Sequence, residues 1–389
     1  METGSLISYM CIWKEYELGT LLRYEQPTAY IVKSTDYNDA YRTPVLTAGK
    51  SFIIGYTNEI SGIYKSLPVI IFDDFTTSSQ YVNFPFKVKS SAMKILTPNT
   101  ELVLPKFIYY RMQSIQFEHS THKRYWIQQY SKIKVKIPPI PEQERIVSKI
   151  EELFSKLDAS VAELKTAKEK LKVYRQAVLK EAFDGEYPRI TLKEIATPLS
   201  GYAFKSKKYS INGKYVVVKI GNVKPFHFDF SRDFTKTIEV DDAILSRYLL
   251  TRGDCLITMT GSRGKRDYGY VVMVENQKNY LLNQRVAALR FNLSVALPKF
   301  FEYYLSSPQY RNQFFAYETG NVGQGNVGIK ALTEPEVICP PIKIQEEIIQ
   351  KIEFRLSLCD SIEQTIDTSL QQADGLRQSI LKQAFEGRI

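Results

Sequence analysis

The sequence predicts an α+β protein: two α/β domains separated by two long antiparallel coiled-coil helices, laid out as a tandem repeat with a pseudo-twofold axis. Three observations carry this. A block opening at Pro138-Pro139-Ile140 recurs at Pro340-Pro341-Ile342. Within each block apolar residues fall mostly at the three- and four-residue steps of a helical seam. Each block follows a segment of single-domain size whose apolar runs are short and β-branched.

From the paired prolines the two blocks run in step without a gap, at a constant offset of 202 positions. Gln143-Glu144 matches Gln345-Glu346, Lys149-Ile150-Glu151 matches Lys351-Ile352-Glu353, and Asp158 matches Asp360. Both blocks close alike: Arg175-Gln176, Leu179-Lys180, Ala182-Phe183 and Gly185 are answered by Arg377-Gln378, Leu381-Lys382, Ala384-Phe385 and Gly387. An ungapped match of this length is one structural element used twice. The expected seam of the first copy is Ile146, Ile150, Leu153, Leu157, Val161, Leu164, Leu171, Tyr174, Val178 and Ala182. In the second it is Ile348, Ile352, Leu356, Cys359, Ile362, Ile366, Ala373, Leu376, Ile380 and Ala384.

The Pro-Pro pair reads as an extended lead-in that cannot itself continue as helix, and Gly185 or Gly387 as a stop. At 1.5 Å per residue such a helix is about 60 Å long. Gly375 falls inside the second helix, where it costs about 1 kcal/mol relative to Ala, so a kink or weak point is expected there. For one copy, the alternative is a solvated helix packed on its own domain. A narrow apolar stripe on a long helix needs a partner of equal length, and the other copy is the nearest candidate; a duplicated pair would lie antiparallel.

The blocks divide the chain into a first variable segment (1–137), a helical block (138–187), a second variable segment (188–337) and a second helical block (338–389). Duplication leaves traces in the segments too. Leu104-Pro105-Lys106-Phe107 with Tyr109-Tyr110 echoes Leu297-Pro298-Lys299-Phe300 with Tyr303-Tyr304, and Trp13-Lys14-Glu15-Tyr16 weakly echoes Leu192-Lys193-Glu194-Ile195. Val69-Ile70-Ile71-Phe72 and Tyr215-Val216-Val217-Val218 read as strands. Asp254-Cys255-Leu256-Ile257-Thr258-Met259 and Tyr268-Gly269-Tyr270-Val271-Val272-Met273 flank a polar turn, 261–266, as a hairpin would.

Lys and Arg total 52 against 42 Asp and Glu, a formal charge of +10 that favours a polyanionic partner. The basic residues cluster in expected loops: Lys87 and Lys89; Lys205, Lys207 and Lys208; Arg263, Lys265 and Arg266. Solubilising surface charge is the alternative for each cluster. Aromatic residues lie among them (Tyr24, Tyr30, Tyr37, Tyr41 and Tyr56; Tyr202 and Phe204), as in nucleic-acid surfaces and equally in cores. The four cysteines (Cys11, Cys255, Cys339, Cys359) show neither CxxC pairing nor metal spacing, which suits buried free thiols in a reducing compartment. With no signal peptide and no apolar run long enough to cross a membrane, the cytoplasm is the expected location.

Catalytic signatures are missing. The histidines are His119, His122 and His227, with no HExxH or Cys/His cluster, so no metal site is expected. Gly261-Ser262-Arg263-Gly264-Lys265 resembles a P-loop fragment, but the glycine spacing is wrong and Arg266 stands where a Ser or Thr would hold magnesium. Gly320-Asn321-Val322-Gly323-Gln324-Gly325 lacks the strand–turn–helix context of a cofactor loop and reads as a flexible contact loop. The prolines of each block follow Ile137 and Cys339, unlike the Asn/Asp-Pro-Pro-aromatic motif of amino-methyltransferases.

The Pro-Pro-Ile…Gln-Glu lead-in, the long helix and the Ala-Phe-(Asp/Glu)-Gly close, all present twice, resemble the specificity subunit of type I restriction–modification systems. Gly253-Asp254-Cys255-Leu256-Ile257 with Thr260-Gly261 and Gly264-Lys265 is similar to a motif of that family's target recognition domains. So are Leu282-Asn283-Gln284-Arg285-Val286 and the 320–326 loop. The first segment departs from the pattern: Asp73-Asp74-Phe75-Thr76-Thr77 stands where the Thr-Gly turn would be. The resemblance implies two recognition domains that each read half of a bipartite DNA site, with antiparallel helices as a ruler between them. It also implies docking to two modification subunits, which carry S-adenosylmethionine and methylate adenine, and association with restriction subunits. The subunit itself would have no catalytic residue and no cofactor. A coiled-coil scaffold joining two protein-binding domains is the rival reading.

Phosphate contacts set register and base-edge contacts specify sequence. Lys87, Lys89, Lys205, Lys207, Lys208 and Lys265 are accordingly expected on the DNA backbone, with Arg266 in the same basic loop. Arg263, Gln284, Arg285, Gln324 and Asn326 are expected near base edges. For Gln284 and Arg285 the alternative is a place in a buried sheet.

Overall fold

The computed structural model describes residues 13–49, 51–118, 124–237, 240–276, 278–320 and 323–389. Cys11, His119, His122 and two residues of the glycine-rich loop, Asn321 and Val322, lie outside them. The chain divides into two compact units, Met1–Leu164 with Thr368–Ile389, and Lys165–Asp367. Each unit holds one variable segment, part of the first long helix (Ile140–Ala182) and part of the second (Ile342–Phe385).

The helices start where the prolines dictate. Pro139 lacks an N–H, but its carbonyl accepts from Glu142 and Gln143 at 3.0 and 3.1 Å; Pro341 does the same for Ile344 and Gln345 at 2.9 and 3.1 Å. The two stops differ. Gly387 takes the left-handed φ of 73° and Arg388 N–H reaches back to the Gln383 carbonyl at 2.9 Å, a glycine C-cap. Gly185 is not left-handed; its missing side chain leaves room for the Tyr187 ring, whose Cζ lies 2.6 Å from where a Cβ would stand. No break occurs at Gly375, which the second helix passes with its surface open.

Both segments fold alike despite their divergence. In the first, a four-stranded antiparallel sheet runs in the order Leu22–Glu25, Met93–Pro98, Val69–Asp73, Ser79–Val82. In the second, the order Ala196–Ser200, Val286–Phe291, Cys255–Thr258, Val271–Met273 is its counterpart. Each domain adds a three-stranded sheet with one parallel pair: Thr43–Leu46 beside Lys87–Val88, and Tyr215–Val218 beside Tyr280–Leu282. Each domain is closed by a strand pair at the helix start, Lys14–Glu17 on Lys134–Ile137 and Arg189–Thr191 on Glu336–Ile338. A single helical turn follows the first strand of each pair, Leu18–Leu21 and Leu192–Ile195. The structural counterpart of Leu192 is therefore Leu18, and the echo drawn from Trp13 is out of register by one strand.

Two glutamines seat the domains on their helices. Gln143 is fully buried; its Oε1 accepts from Leu104 N–H at 2.8 Å, and its Nε2 donates to the carbonyls of Leu102 at 3.0 Å and Pro138 at 2.8 Å. Gln345, also fully buried, makes the same three bonds with Leu297 N–H, Val295 O and Pro340 O at 2.8, 2.8 and 2.7 Å. The other end of the opposite block completes each seat. Phe385 packs edge-on against Phe107 at 5.4 Å, and Phe183 against Phe300 at 5.5 Å. Thus each domain core takes in the start of one long helix and the end of the other, which only an antiparallel pair supplies.

Ion pairs report the same direction. In the second unit Lys168 meets Asp367 at 2.6 Å, Arg175 meets Asp360 at 2.7 Å and Glu181 meets Arg355 at 2.8 Å, so numbers rise on one helix as they fall on the other. In the first unit Arg377 pairs with Asp158 and lies 4.5 Å from the Phe154 ring centroid. Asp158–Arg377 and Asp360–Arg175 are one pair, repeated with the copies exchanged.

Of the residues assigned to the seam, Ile146, Ile150, Val178, Ile348, Ile352, Cys359, Ile366, Ile380 and Ala384 are buried. Leu153, Leu157, Val161, Leu164, Leu171, Ala182, Leu356 and Ala373 are half-buried. Leu376, Ile362 and Tyr174 are exposed, although Tyr174 still meets the other helix, its ring 5.3 Å from the Arg355 guanidinium and its hydroxyl accepting from it. Near Leu376 the stripe instead takes in Arg377, turned onto Phe154, then Ile380 and Leu381. An α-helix of 3.6 residues per turn drifts from a strict 3.5 repeat, and here the drift moves the contact by one residue. Leu179 and Leu381, outside the expected seam, are buried because helix ends pack on a domain as well as on a helix.

Two stability measurements check these roles. Gln143→Ala or Gln345→Ala strands three buried backbone groups and is expected to cost about 2–4 kcal/mol, read as a lowered denaturation midpoint. Gly375→Ala, with nothing near its new Cβ, is expected to raise stability by about 1 kcal/mol.

Candidate nucleic-acid interface

In the second domain, backbone hydrogen bonds bring three candidate loops together. Gln284 N–H donates to the Tyr202 carbonyl at 2.9 Å, and Met259 N–H to the Arg285 carbonyl at 2.9 Å. Beyond Met259 the chain forms Thr260–Ser262, a strand that runs into the 261–266 segment expected to be only a turn. It pairs with Gln324–Val327, which pairs in turn with Glu318–Thr319. The glycine-rich loop is thus the bend of a β-ribbon, at least in its described residues. Along Gln324–Val327 exposure alternates: Gln324 and Asn326 face out, Gly325 and Val327 face in.

Gln284 and Arg285 are exposed, in the connection between Tyr280–Leu282 and Val286–Phe291, so the buried-sheet alternative does not hold. Arg285 takes a left-handed φ of 70°. Lys205, Lys207 and Lys208 are exposed on the turn Ser206–Lys208 and its flank. Their aromatic neighbours serve packing: Tyr202 lies 5.0 Å from Phe204 and 5.2 Å from Tyr248. Lys265 is exposed; Arg266 is exposed as well, with its guanidinium 4.8 Å from the Phe315 ring centroid. Arg263 is half-exposed and faces Glu318, whose other oxygen accepts from the buried Tyr268 hydroxyl. Burial, and then that carboxylate, push the Tyr268 phenol well above its ordinary value. The residues missed by sequence reasoning are therefore Tyr268 and Glu318. No local signal marks them, because they meet across 50 positions.

The first domain requires a correction. Lys87 is buried, with its ammonium 3.0 Å from Glu59 and donating to the carbonyls of Ser61 and Gly62 at 2.8 and 3.0 Å. It cannot reach a phosphate, and it pins the 59–62 loop instead. Burial alone would raise the Glu59 carboxyl, but N–H bonds from Ser34 and Lys33 and the Lys87 charge leave it below its usual value. Lys89 is exposed and begins the connection between Lys87–Val88 and Met93–Pro98, the topological counterpart of the loop bearing Gln284 and Arg285. The 73–77 segment is a tight turn: Asp73 Oδ1 accepts from Phe75 and Thr76 N–H at 2.9 and 3.0 Å. It sends Asp74 inward to the buried Lys94, 3.2 Å away. Of the early tyrosines Tyr24 alone is exposed; Tyr30 packs on Tyr64 at 4.9 Å, and Tyr37 covers Gly55.

Among the described residues no cluster of three or more His, Cys, Asp or Glu could hold a metal ion, and no helix is long and apolar enough to cross a membrane. Cys255 and Cys359 are buried free thiols and Cys339 is half-buried.

Each of the two domains with its adjoining helix corresponds to a known family unit. The family model described as the type I restriction modification DNA specificity domain matches residues 12–170 and again 185–372. This chain belongs to that family. The type I specificity subunit of EcoR124I/EcoR124II from Escherichia coli is 45% identical over 190 residues, 46% of this chain and 47% of that protein. The EcoKI specificity subunit of Escherichia coli (strain K12) is 27% identical over 276 residues, 66% of this chain and 58% of that protein. The chain spans about half the length of the curated relatives it matches. A chain from a type I R-M system, solved for its complex assembly and conformational transition, has a TM-score of 0.67 at 17% identity and covers 97% of this chain and 98% of its own. The HsdS subunit from Thermoanaerobacter tengcongensis has a TM-score of 0.55 at 17% identity, with 97% of each chain covered. Both likenesses, at 17% identity, are likenesses of fold.

Mutation of Lys205, Lys207 and Lys208 together to Ala is expected to weaken DNA binding and flatten its dependence on salt by up to about 3 units of log–log slope. Unchanged affinity and slope would remove this cluster from the footprint. Lys87→Met should leave DNA binding as it is and cost about 2–4 kcal/mol of stability, seen as a lower melting temperature.

Proposed function

We propose that this chain is the DNA-reading specificity subunit of a type I restriction–modification complex and carries no catalytic residue of its own. Each recognition domain reads one half of a bipartite site, and the paired helices fix the number of base pairs between the halves. Two modification subunits, bearing S-adenosylmethionine, dock on this subunit and methylate adenine; restriction subunits join to cleave. The complex works in the cytoplasm.

The observation that carries the reading is the exchanged seating of the domains. Each is locked by a buried glutamine to the start of one helix and by a phenylalanine to the end of the other. A constant frame holding two domains of like topology and different surface is what a two-part address requires. A β-ribbon bearing exposed Gln324 and Asn326, in the same domain as exposed Lys205 and Lys207, offers both kinds of contact, donors for base edges and charge for phosphates.

Methylation mapping in cells that express the chain with its modification subunit tests this. The expected result is one adenine-methylated motif in two parts with a fixed gap; methylation without such a motif sinks the reading and favours a scaffold. Inserting seven residues into each long helix near Thr166 and Thr368 adds about 10 Å of helix, so the gap should widen by about two to three base pairs with both half-sites retained.

A further inference from the structure

Resting on that DNA-reading function, we infer that Arg263 reads a guanine in the half-site of the second domain and that Glu318 is the positioning residue that aims it. In the ribbon, Gly261 stands opposite Gly325, and both lie over the Tyr268 ring. A Cβ at Gly261 would come within 2.8 Å of Tyr268 Cδ1, and one at Gly325 would collide with the phenol oxygen. Two absent side chains thus admit one buried phenol beneath the ribbon. Tyr268 is held from below by Phe315, edge-on at 5.0 Å, and its hydroxyl donates to Glu318 Oε1. Glu318 Oε2 faces Arg263 Nε at 3.5 Å. Arg263 Nη1 donates to the Gly320 carbonyl at 3.2 Å, and its backbone N–H points to the Gly323 carbonyl at 3.4 Å. A surface guanidinium is thereby tied through one carboxylate and one phenol to the aromatic core.

The remaining donors decide what this arginine can read. A guanidinium has five N–H groups. Nε lies 3.5 Å from Glu318 Oε2 and one Nη1 hydrogen goes to the Gly320 carbonyl, which leaves Nη2 and the second Nη1 hydrogen for a ligand. Adjacent Nη1 and Nη2 hydrogens form a parallel fork, which matches the O6 and N7 acceptors of guanine in the major groove. A β-ribbon is of the right size to enter that groove. Glu318 suits positioning rather than contact. Its side chain is only 10% exposed, and a carboxylate aimed at DNA would repel phosphate, whereas one turned onto Arg263 orders the fork before DNA arrives.

The test uses the assembled methyltransferase and a panel of duplexes in which each base of the mapped site is replaced in turn. Arg263→Lys keeps the charge and loses the fork. Glu318→Gln keeps an acceptor for Tyr268 and removes the charge beside Arg263; Tyr268→Phe, the smallest change, repeats the test should Glu318→Gln fail to fold. Arg263→Lys is expected to lower discrimination at one guanine of one half-site by about 5- to 100-fold. Glu318→Gln and Tyr268→Phe should act at that same position and less strongly, with the other half-site and the salt slope unchanged. Discrimination unchanged in Arg263→Lys, or loss spread evenly over both half-sites, overturns the inference while the parent's split motif keeps the function intact. A parent complex with no half-site preference overturns both.

Discussion

The structure depends on a side-chain amide buried at the start of each long helix. A glutamine with no access to water must find partners for both its oxygen and its amino group, and Gln143 and Gln345 find three each, all on backbone. Two of the three belong to the segment before the Leu-Pro-Lys-Phe helix of the domain, and the third to the first proline of the lead-in. Domain and helix are therefore joined by bonds of fixed direction, where an apolar contact would allow sliding. Because the amide sits four residues after the helix-starting proline, the angle at which the helix leaves is set at the same point as the domain's attachment.

Antiparallel pairing follows from that seat and from the phenylalanines that complete it. Each domain core is left open where the end of a helix must enter, and Phe183 and Phe385 fill the two openings. The exchanged Asp–Arg pairs add little energy, since their carboxylates are largely solvent-exposed. Their value is in register: a one-residue slip would break the pair in both units at once. Mid-helix, Cys359 and Ile366 are buried, while the rest of the stripe is mostly half-buried and flanked by charge.

The repeat made the frame legible. Proline pairs, seam spacing and the matched closes located both helices, because a long helix writes its periodicity along contiguous sequence. Strands such as Val69–Asp73 and Tyr215–Val218 were legible for the same reason. Less legible was anything decided across distance. Lys87 reads as a loop charge beside Lys89, yet the ladder of Lys87–Val88 turns it onto Glu59, while Lys89 stays in solvent. Thr260–Ser262 reads as part of a turn because its partner strand lies more than 60 positions away, beyond any local pattern.

By itself, then, the sequence determined the duplicated helices, their direction and the existence of two domains with different contents. Those features rest on periodicity and on identity between copies, both of which can be read from the sequence without knowing which segments meet in space. Only the tertiary structure decided which basic residues face solvent and which glutamines bear load. It also decided that Gly261 and Gly325 admit Tyr268 beneath a ribbon carrying Arg263. The physical reason is that burial and hydrogen-bond partnership depend on segments far apart in sequence, and two lysines that look alike in a loop become different residues once their neighbours are in place.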